Sequence, residues 1–403
     1  MIRLACIGYG LWGRNVARVA AATPGARLEA IVEKDGKRLA AAAERHPGVA
    51  LQADRRAVLG DDGIDAVLIA TDAKTHACLV RQTAAAGKHV FVEKPLALDG
   101  ADAREAVAAA ERAGVVLQVG HLMRFHPAVE VLARVAREEL GRIRCVAAQR
   151  LNFGQVRSDE NVLFSLGPHD LSVMLQLFGS EPESVAAQGA AFVRPGVEDL
   201  AFLTLRFPGG GIGQMHLSWL DPHKVRRLTV VGERRMAVLD DMEPREKVRV
   251  YDQAVEAPNG VWVYGENLAL RTGDIRIPAF APTEPLAVEL RDFVDCVATG
   301  RAPRVGGAEG VRVVEILADA KESMRSGVVP VRFAPQEVLL EVVAEGHVGR
   351  AVAVVVHVVF QRHAHLARRL VALVQVAFQR THQDRHQILR DFRPDVPRIG
   401  DVL

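Results

Sequence analysis

Short apolar runs alternate with helix-length, alanine-rich stretches along the first 120 residues. Ile2–Ile7, Leu28–Val32, Ala66–Ala70, His89–Val92 and Val115–Val119 read as strands. Asn15–Ala22, Lys37–Arg45, His76–Ala86 and Ala101–Ala113 read as helices between them. Strand, helix, strand in this rhythm predicts a parallel sheet with helices on both faces, since a parallel pair needs a crossover long enough to hold a helix. The spacers lack the hairpin turns that an antiparallel meander requires.

Beyond residue 120 the period changes. Pro127–Glu139 predicts a helix stopping near Gly141, followed by a strand at Arg144–Leu151 and a helix at His169–Phe178. Longer alternating stretches at Ser184–Val193, Leu200–Phe207, Gly211–Leu220, Lys224–Val231 and Met236–Asp240 predict a largely antiparallel sheet. Ala287–Ala298 and Ala308–Ser326 read as closing helices, the first stopped by Gly300. The expected fold is therefore α/β. A doubly wound parallel domain spans 1–120, and an α/β domain with a mostly antiparallel open sheet spans 121–332. Residues 333–403 form an atypical tail that keeps neither period. His357, His363 and His365 lie there in ligand-like proximity, but a peripheral appendage or an out-of-frame extension is the preferred reading, and no metal is expected.

Composition narrows the class. The chain of 403 residues is long enough for two domains, and 51 basic against 49 acidic side chains give no field for nucleic acid. Cys6, Cys78, Cys145 and Cys296 are far apart, which suits reduced thiols rather than a disulfide framework. The N-terminus opens directly on a strand, and no apolar run reaches the roughly 18 residues of a membrane span. A cytoplasmic protein without a membrane partner is expected.

The first strand runs straight into Gly8-Tyr9-Gly10-Leu11-Trp12-Gly13, at the start of a helix. Gly8 permits a tight turn, Gly10 lets backbone approach a pyrophosphate, and Gly13 lets helix and strand pack closely, while the helix N-terminus faces the phosphates. Glu33, twenty residues after Gly13, follows the second strand, where a carboxylate would bond adenosine ribose hydroxyls. It would repel a 2′-phosphate, so NAD is expected over NADP, with Lys34 beside it working the other way. Glu93-Lys94-Pro95 follows a strand at the carboxyl edge of the sheet, where such folds bind ligands. A lysine there can bond a hydroxyl and stabilise alkoxide charge.

With Gly120-His121-Leu122-Met123-Arg124-Phe125-His126-Pro127 and Gly167-Pro168-His169-Asp170, this ordered set resembles the glucose–fructose oxidoreductase, inositol dehydrogenase and rhizopine catabolism family (Gfo/Idh/MocA) over about residues 1–332. The resemblance implies a Rossmann domain, a second domain whose open sheet covers the substrate, and a homodimer or homotetramer. It implies hydride transfer from a sugar-ring carbon, with Lys94 and His169 sharing the proton work, and it leaves open which of them removes the hydroxyl proton. Cofactor contacts are expected from Gly8, Gly10, Leu11, Trp12, Gly13, Glu33, Thr71, His76, Glu93 and Lys94. Two positions depart from the family pattern. Ser165 stands where an Asp often precedes the histidine, and Thr71-Asp72-Ala73-Lys74-Thr75-His76 replaces a Thr-Pro-Asn-x-x-His loop.

The segment from Arg150 to Asp170 looks like the branch that resembles nucleotide-sugar 3-dehydrogenases acting on UDP-N-acetylglucosamine or its uronic acid. Arg124, Arg150 and Arg157 could supply forked donors to a diphosphate or carboxylate. Asn152 and Asn161 could read hydroxyls or an acetamido group, and Ser165 and His169 complete the expected substrate side. The arginines are equally readable as salt-bridge partners. A free sugar or polyol is an alternative substrate, and a non-catalytic NAD-binding regulator is a further alternative. Pro168 suits the first position of a helix, placing His169 in the first turn, where the helix dipole disfavours imidazolium. His126 reads as helix-start packing. Trp219, Asp221 and His223 are expected to be structural.

Overall fold

The computed structural model describes residues 1–154, 156–157, 160–256, 269–326, 341–344 and 352–355. Two compact units divide the chain, Met1–Val328 and Val329–Leu403. In the second, Glu341–Ala344 and Val352–Val355 pair antiparallel. The candidate ligands His357, His363 and His365 lie outside the described residues.

The first unit holds both large sheets. β1 (Ile2–Ile7), β2 (Ala26–Val32), β3 (Ala50–Gln52), β4 (Ala66–Ile69), β5 (His89–Glu93) and β6 (Leu117–Gly120) form a six-stranded sheet in the order β3-β2-β1-β4-β5-β6. Every neighbouring pair in it is parallel. The order reverses at β1, so the ends of β1 and β4 open the crevice where doubly wound sheets bind ligands. The edge strand β3 is three residues long, too short for its sequence to display a period. That is why the pattern of hydrophobic positions predicted five strands and not six.

Alternation along the strands explains the two-faced packing. Leu4, Cys6, Leu68 and Phe91 face α1 (Gly13–Ala22) and α8 (Pro285–Thr299). Ala5, Ile7, Val67, Ile69, Val90 and Val92 face the opposite way, toward α4 (His76–Ala85) and α5 (Gly100–Ala113). Phe91 and Phe293 meet edge-on at 5.9 Å. The covering helix α8 comes from near the end of the unit, so segments 160 residues and more away complete the core of the first sheet. Between these covering helices lie the short α2 (Gly36–Arg45) and α3 (Arg56–Leu59).

After α6 (Pro127–Val135), which runs on into a π-turn over Ala136–Leu140, comes β7 (Ile143–Phe153). Then follow α7 (Val162–Phe178), β8 (Ser184–Ala190), β9 (Leu200–Phe207), β10 (Gly211–Ser218), β11 (Leu220–Gly232), β12 (Met236–Asp240), β13 (Val248–Glu256) and β14 (Ala269–Arg276). The eight strands lie in the order β14-β13-β12-β11-β7-β10-β9-β8. Only β7 and β10 run parallel; the other neighbours are antiparallel, as the alternating stretches predict. α7 and α9 (Gly307–Arg325) cover the inner face, burying Met174, Leu175, Val313 and Leu317 against Leu203, Leu205, Met215 and Leu217. Gly300 ends α8 in the left-handed region at φ 72°, the C-terminal stop expected of it.

One sequence expectation fails here. The helix carrying His169 begins at Val162, not at Pro168. Asn161 caps it by accepting the Phe164 N–H at 3.2 Å, and Val162, Leu163 and Phe164 are buried, so both a cap and apolar contact favour the earlier start. Pro168 therefore sits in the helix interior, and His169 lies two turns in, beyond the reach of the helix N-terminal charge.

Candidate active site

The turn after β1 is built by its glycines. Gly8 has φ +96°, and a Cβ there would lie 2.6 Å from the Ala70 carbonyl oxygen. At Gly13 a Cβ would lie 2.1 Å from the Gly8 carbonyl oxygen, so helix and strand could not close. Gly10 differs: its Cβ would meet only Arg38 Nη1, at 3.8 Å. Nothing in the protein requires a glycine at that point, which leaves close approach of a ligand to the backbone as the reason for it. The first turn of α1 has neither a side-chain cap nor an acidic residue; the Arg14, Asn15 and Val16 N–H groups turn back to the Gly10 and Trp12 carbonyls, and no side chain caps the turn itself. A cavity of about 1260 Å³ opens over this turn, lined among others by Gly8, Gly10, Leu11, Trp12, Glu33 and Thr71.

Glu33 directly follows β2, with one oxygen on the Tyr9 N–H (2.9 Å) and the other on the Asp35 N–H (3.0 Å). Each oxygen keeps an acceptor lone pair for a ribose hydroxyl. Arg38 Nη1 stands 3.8 Å from Glu33. A turn without a side-chain cap, a Cβ-free approach and an oriented carboxylate together fit a dinucleotide.

His76 is placed differently from the sequence expectation. It is 1% exposed and absent from the cavity wall, its Nδ1 2.7 Å from the Pro95 carbonyl and its Nε2 3.0 Å from the Thr71 carbonyl. The ring thus ties the loop after β4 to the loop after β5, and Thr71 rather than His76 reaches the cavity.

Trp12 links the glycine turn to the end of β5. Its indole N–H donates to the buried Glu93 at 2.5 Å. Burial raises the Glu93 carboxyl to about 7, opposed by the Trp12 bond and by the neighbouring Lys94 cation. Lys94 follows in a cis Lys94–Pro95 peptide and donates from Nζ to the Ser165 carbonyl at 2.7 Å. Its pKa is lowered, first by burial. Lys94 therefore meets α7 one turn before His169. His169 is half-buried, its Nδ1 lacks a hydrogen-bond partner, and its pKa is held well below the ordinary value. The cause is burial first, then the Lys94 and Arg150 cations, rather than a helix N-terminus. Beside them His121 is pushed down to about 3 by burial and by Arg124 and Lys94.

The expected substrate-side residues are largely engaged with protein partners. Arg150 and Asp170 form a buried two-bond pair, both contacts at 2.7 Å. Arg124 pairs with Glu309, and Arg157 with Glu160 at 2.8 Å. Asn161 caps α7 and donates to Glu198 at 2.7 Å. Asn152 accepts from Arg226 at 2.8 Å. Of these, half-exposed Arg157 reaches the wall of the large cavity. His126 caps α6 through Nδ1, which accepts the Ala128 N–H, and its Nε2 lies 3.2 Å from Asp241. Among the described residues no group of three or more His, Cys, Asp or Glu is placed to hold a metal, and no helix is long and apolar enough to cross a membrane.

Arg226 and Glu289 were missed in the sequence. Arg226 carried a readable signal, since it continues the inward phase of Leu228 and Val230 along β11. Glu289, fully buried in α8, carried none, because its helix is otherwise ordinarily amphipathic.

These features define an oxidoreductase that binds NAD on a Rossmann sheet. Residues 2–121 match the oxidoreductase family with an NAD-binding Rossmann fold, and residues 129–238 match the GFO/IDH/MocA C-terminal domain. The chain belongs to the Gfo/Idh/MocA family of NAD-dependent sugar and polyol oxidoreductases. It is 29% identical to UDP-N-acetylglucosamine 3-dehydrogenase of Acidithiobacillus ferrooxidans over 78% of this chain and 94% of the relative. It is 27% identical to scyllo-inositol 2-dehydrogenase (NAD(+)) of Bacillus subtilis over 81% and 95%. A solved structure of a putative oxidoreductase from Magnetospirillum magnetotacticum superposes with a TM-score of 0.67 at 34% identity, covering 79% of this chain and 99% of that one.

Proposed function

We propose that the enzyme oxidises a ring hydroxyl of a nucleotide-linked sugar, with Lys94 and His169 sharing the proton. The observation that carries the proton assignment is the Lys94 bond to the Ser165 carbonyl, which holds the ammonium one turn from His169 on the same helix. Bound NAD supplies the two-electron acceptor. The chain's own groups do the rest: Lys94 donates to the substrate oxygen and offsets charge developing there, and His169, neutral near pH 7, takes the proton. The nucleotide-sugar reading draws on similarity to the UDP-N-acetylglucosamine 3-dehydrogenase and on Arg157, whose half-exposed guanidinium at the cavity wall retains donors for a diphosphate.

A free sugar or cyclitol is the second reading. The pairing of Arg124 and Arg150 with carboxylates favours it, as does similarity to the inositol dehydrogenase. NAD reduction followed with UDP-N-acetylglucosamine, UDP-glucuronate, glucose, myo-inositol and scyllo-inositol separates the two. Turnover of a UDP-sugar alone supports the first; turnover of a cyclitol alone overturns it. A homodimer or homotetramer would cover the open face of the second sheet, where the exposed Phe202 and Ile212 lie to either side of the Thr204–Gln214 pair. The unpaired Cys6, Cys78, Cys145 and Cys296 suit a cytoplasmic setting.

A further inference from the structure

Two arginines stand opposite one another on the inner face of the second sheet. Arg226 of β11 is the register partner of Arg150 of β7. Both keep the inward phase, Arg150 with Val146 and Ala148, and Arg226 with Leu228 and Val230. Like charges directly across a strand pair oppose each other, so a sheet retains them only when counter-charge is provided. Asp170 provides it in contact with Arg150, on which both its oxygens are spent, and it and Asp241 act on Arg226 only at longer range.

Arg226 meets no carboxylate at ion-pair distance among the described residues. Its donors go to neutral oxygens: the Leu151 and Val225 carbonyls and the Asn152 side chain, all at 2.8 Å. Burial, and after it Arg150, lowers its pKa to about 10. The same charge contributes to holding His169 neutral, which sets Arg226 on the reacting side of the sheet. A half-buried cation is thus held by Asn152 and two carbonyls on the face that carries His169, without a carboxylate in contact among the described residues.

We propose that Arg226 is an anion-binding residue of the substrate site, and that the ring oxidised carries a carboxylate or phosphate group near the reacting carbon. The two groups share the planar or forked oxygen pair that a guanidinium binds. Asn152 then acts as a positioning residue, fixing the fork of Arg226, rather than as a direct reader of hydroxyls. The inference rests on the reading of the site as one that oxidises sugars.

The test uses the full chain saturated with NAD and measures binding of D-glucose, D-glucuronate and D-glucose 6-phosphate by calorimetry. It runs on the wild type, Arg226→Gln and Arg226→Lys. One anionic sugar should bind about tenfold or more tighter than glucose, the scale of a hydrogen bond to a charged group, and which one it is tells carboxylate from phosphate. Arg226→Gln should abolish that advantage while NAD affinity holds, and Arg226→Lys should restore part of it. Equal binding of all three sugars by the wild type overturns the proposal, as does an advantage that survives in Arg226→Gln. If Arg226→Gln fails to fold, the wild-type comparison and Arg226→Lys still decide. UDP-sugar turnover indifferent to charge and to Arg226 removes this inference and leaves sugar oxidation standing. Arg226-dependent glucuronate binding without turnover of any sugar does the reverse.

Discussion

Lys94 Nζ donates to the carbonyl oxygen of Ser165 at 2.7 Å, binding the end of β5 to the middle of α7. Three residues beyond Ser165, Pro168 lacks an N–H, so the turn before it loses a helical donor. The carbonyl deprived of its helical donor is that of Phe164, so the Lys94 ammonium meets the helix at the neighbouring carbonyl rather than at the missing bond. The same geometry brings the cation next to His169 without a carboxylate in between.

If Lys94 and His169 share the proton, Lys94→Ala and His169→Ala should each lower kcat by roughly 10²-fold or more. NAD affinity should change little, since neither residue lines the dinucleotide cavity. Ser165→Ala should cost less than either, because its backbone carbonyl and not its hydroxyl takes Lys94. Steady-state rates on an identified substrate, with NAD titrations alongside, check this. A His169→Ala enzyme near wild-type rate would leave Lys94 as the sole proton-handling group.

The fold was largely legible because β1, β4 and β5 bury both faces and their apolar runs are bounded by glycine and charged turns. The start of α7 was not, because Pro168 is a strong helix-opening signal and the Asn161 cap is a single residue in an uncharacteristic segment. The cofactor turn was legible because its three glycines follow a strand at fixed spacing, although what requires them differs: Gly8 answers Ala70, Gly13 answers Gly8, and Gly10 answers no protein atom at close range. The substrate side was not. Whether Arg124, Arg150 and Arg157 are free or paired depends on Glu309, Asp170 and Glu160, and spacing alone does not assign those partners.

Glu33 should set the cofactor preference. Its oxygens are fixed by Tyr9 and Asp35, and a 2′-phosphate would meet them at close range. Glu33→Ala should narrow the preference for NAD over NADP by about an order of magnitude if the carboxylate is partly desolvated. The change also frees Arg38, 3.8 Å away, to meet the phosphate. Calorimetric titration with both cofactors checks it; equal wild-type affinities would show that Glu33 has no such role.

The segment after Phe333 should be dispensable. Met1–Val328 forms a compact unit of its own and contains every residue of the cofactor turn and the Lys94–His169 pair. A chain ending at Ala334 should fold and keep its NAD affinity. Loss of soluble protein on truncation would make the tail part of the core or of an oligomer contact.

Glu289 should make the fold lose stability as pH rises. It is fully buried in α8, and neither carboxyl oxygen has a partner. Burial, with Glu93 and Asp292 adding like charge, holds its pKa well above the ordinary value. A carboxyl raised on folding binds more protons in the native than in the unfolded chain. Unfolding therefore becomes easier as pH climbs above the unfolded value near 4.3. Glu289→Gln removes that titration while keeping the shape, and its amide can serve the unpartnered Gln118 Oε1, whose own amide nitrogen already donates to the Glu289 carbonyl at 3.0 Å. The variant should melt higher than wild type at pH 8, with a rise of roughly 2–4 °C corresponding to about 1 kcal/mol. The difference should shrink as pH falls toward about 4.3, where the carboxyl begins to be protonated in the unfolded chain as well. Melting curves of both proteins from pH 4.5 to 8.5 decide it. A Gln variant that melts lower at every pH would mean that Glu289 is ionised and paired in the native protein.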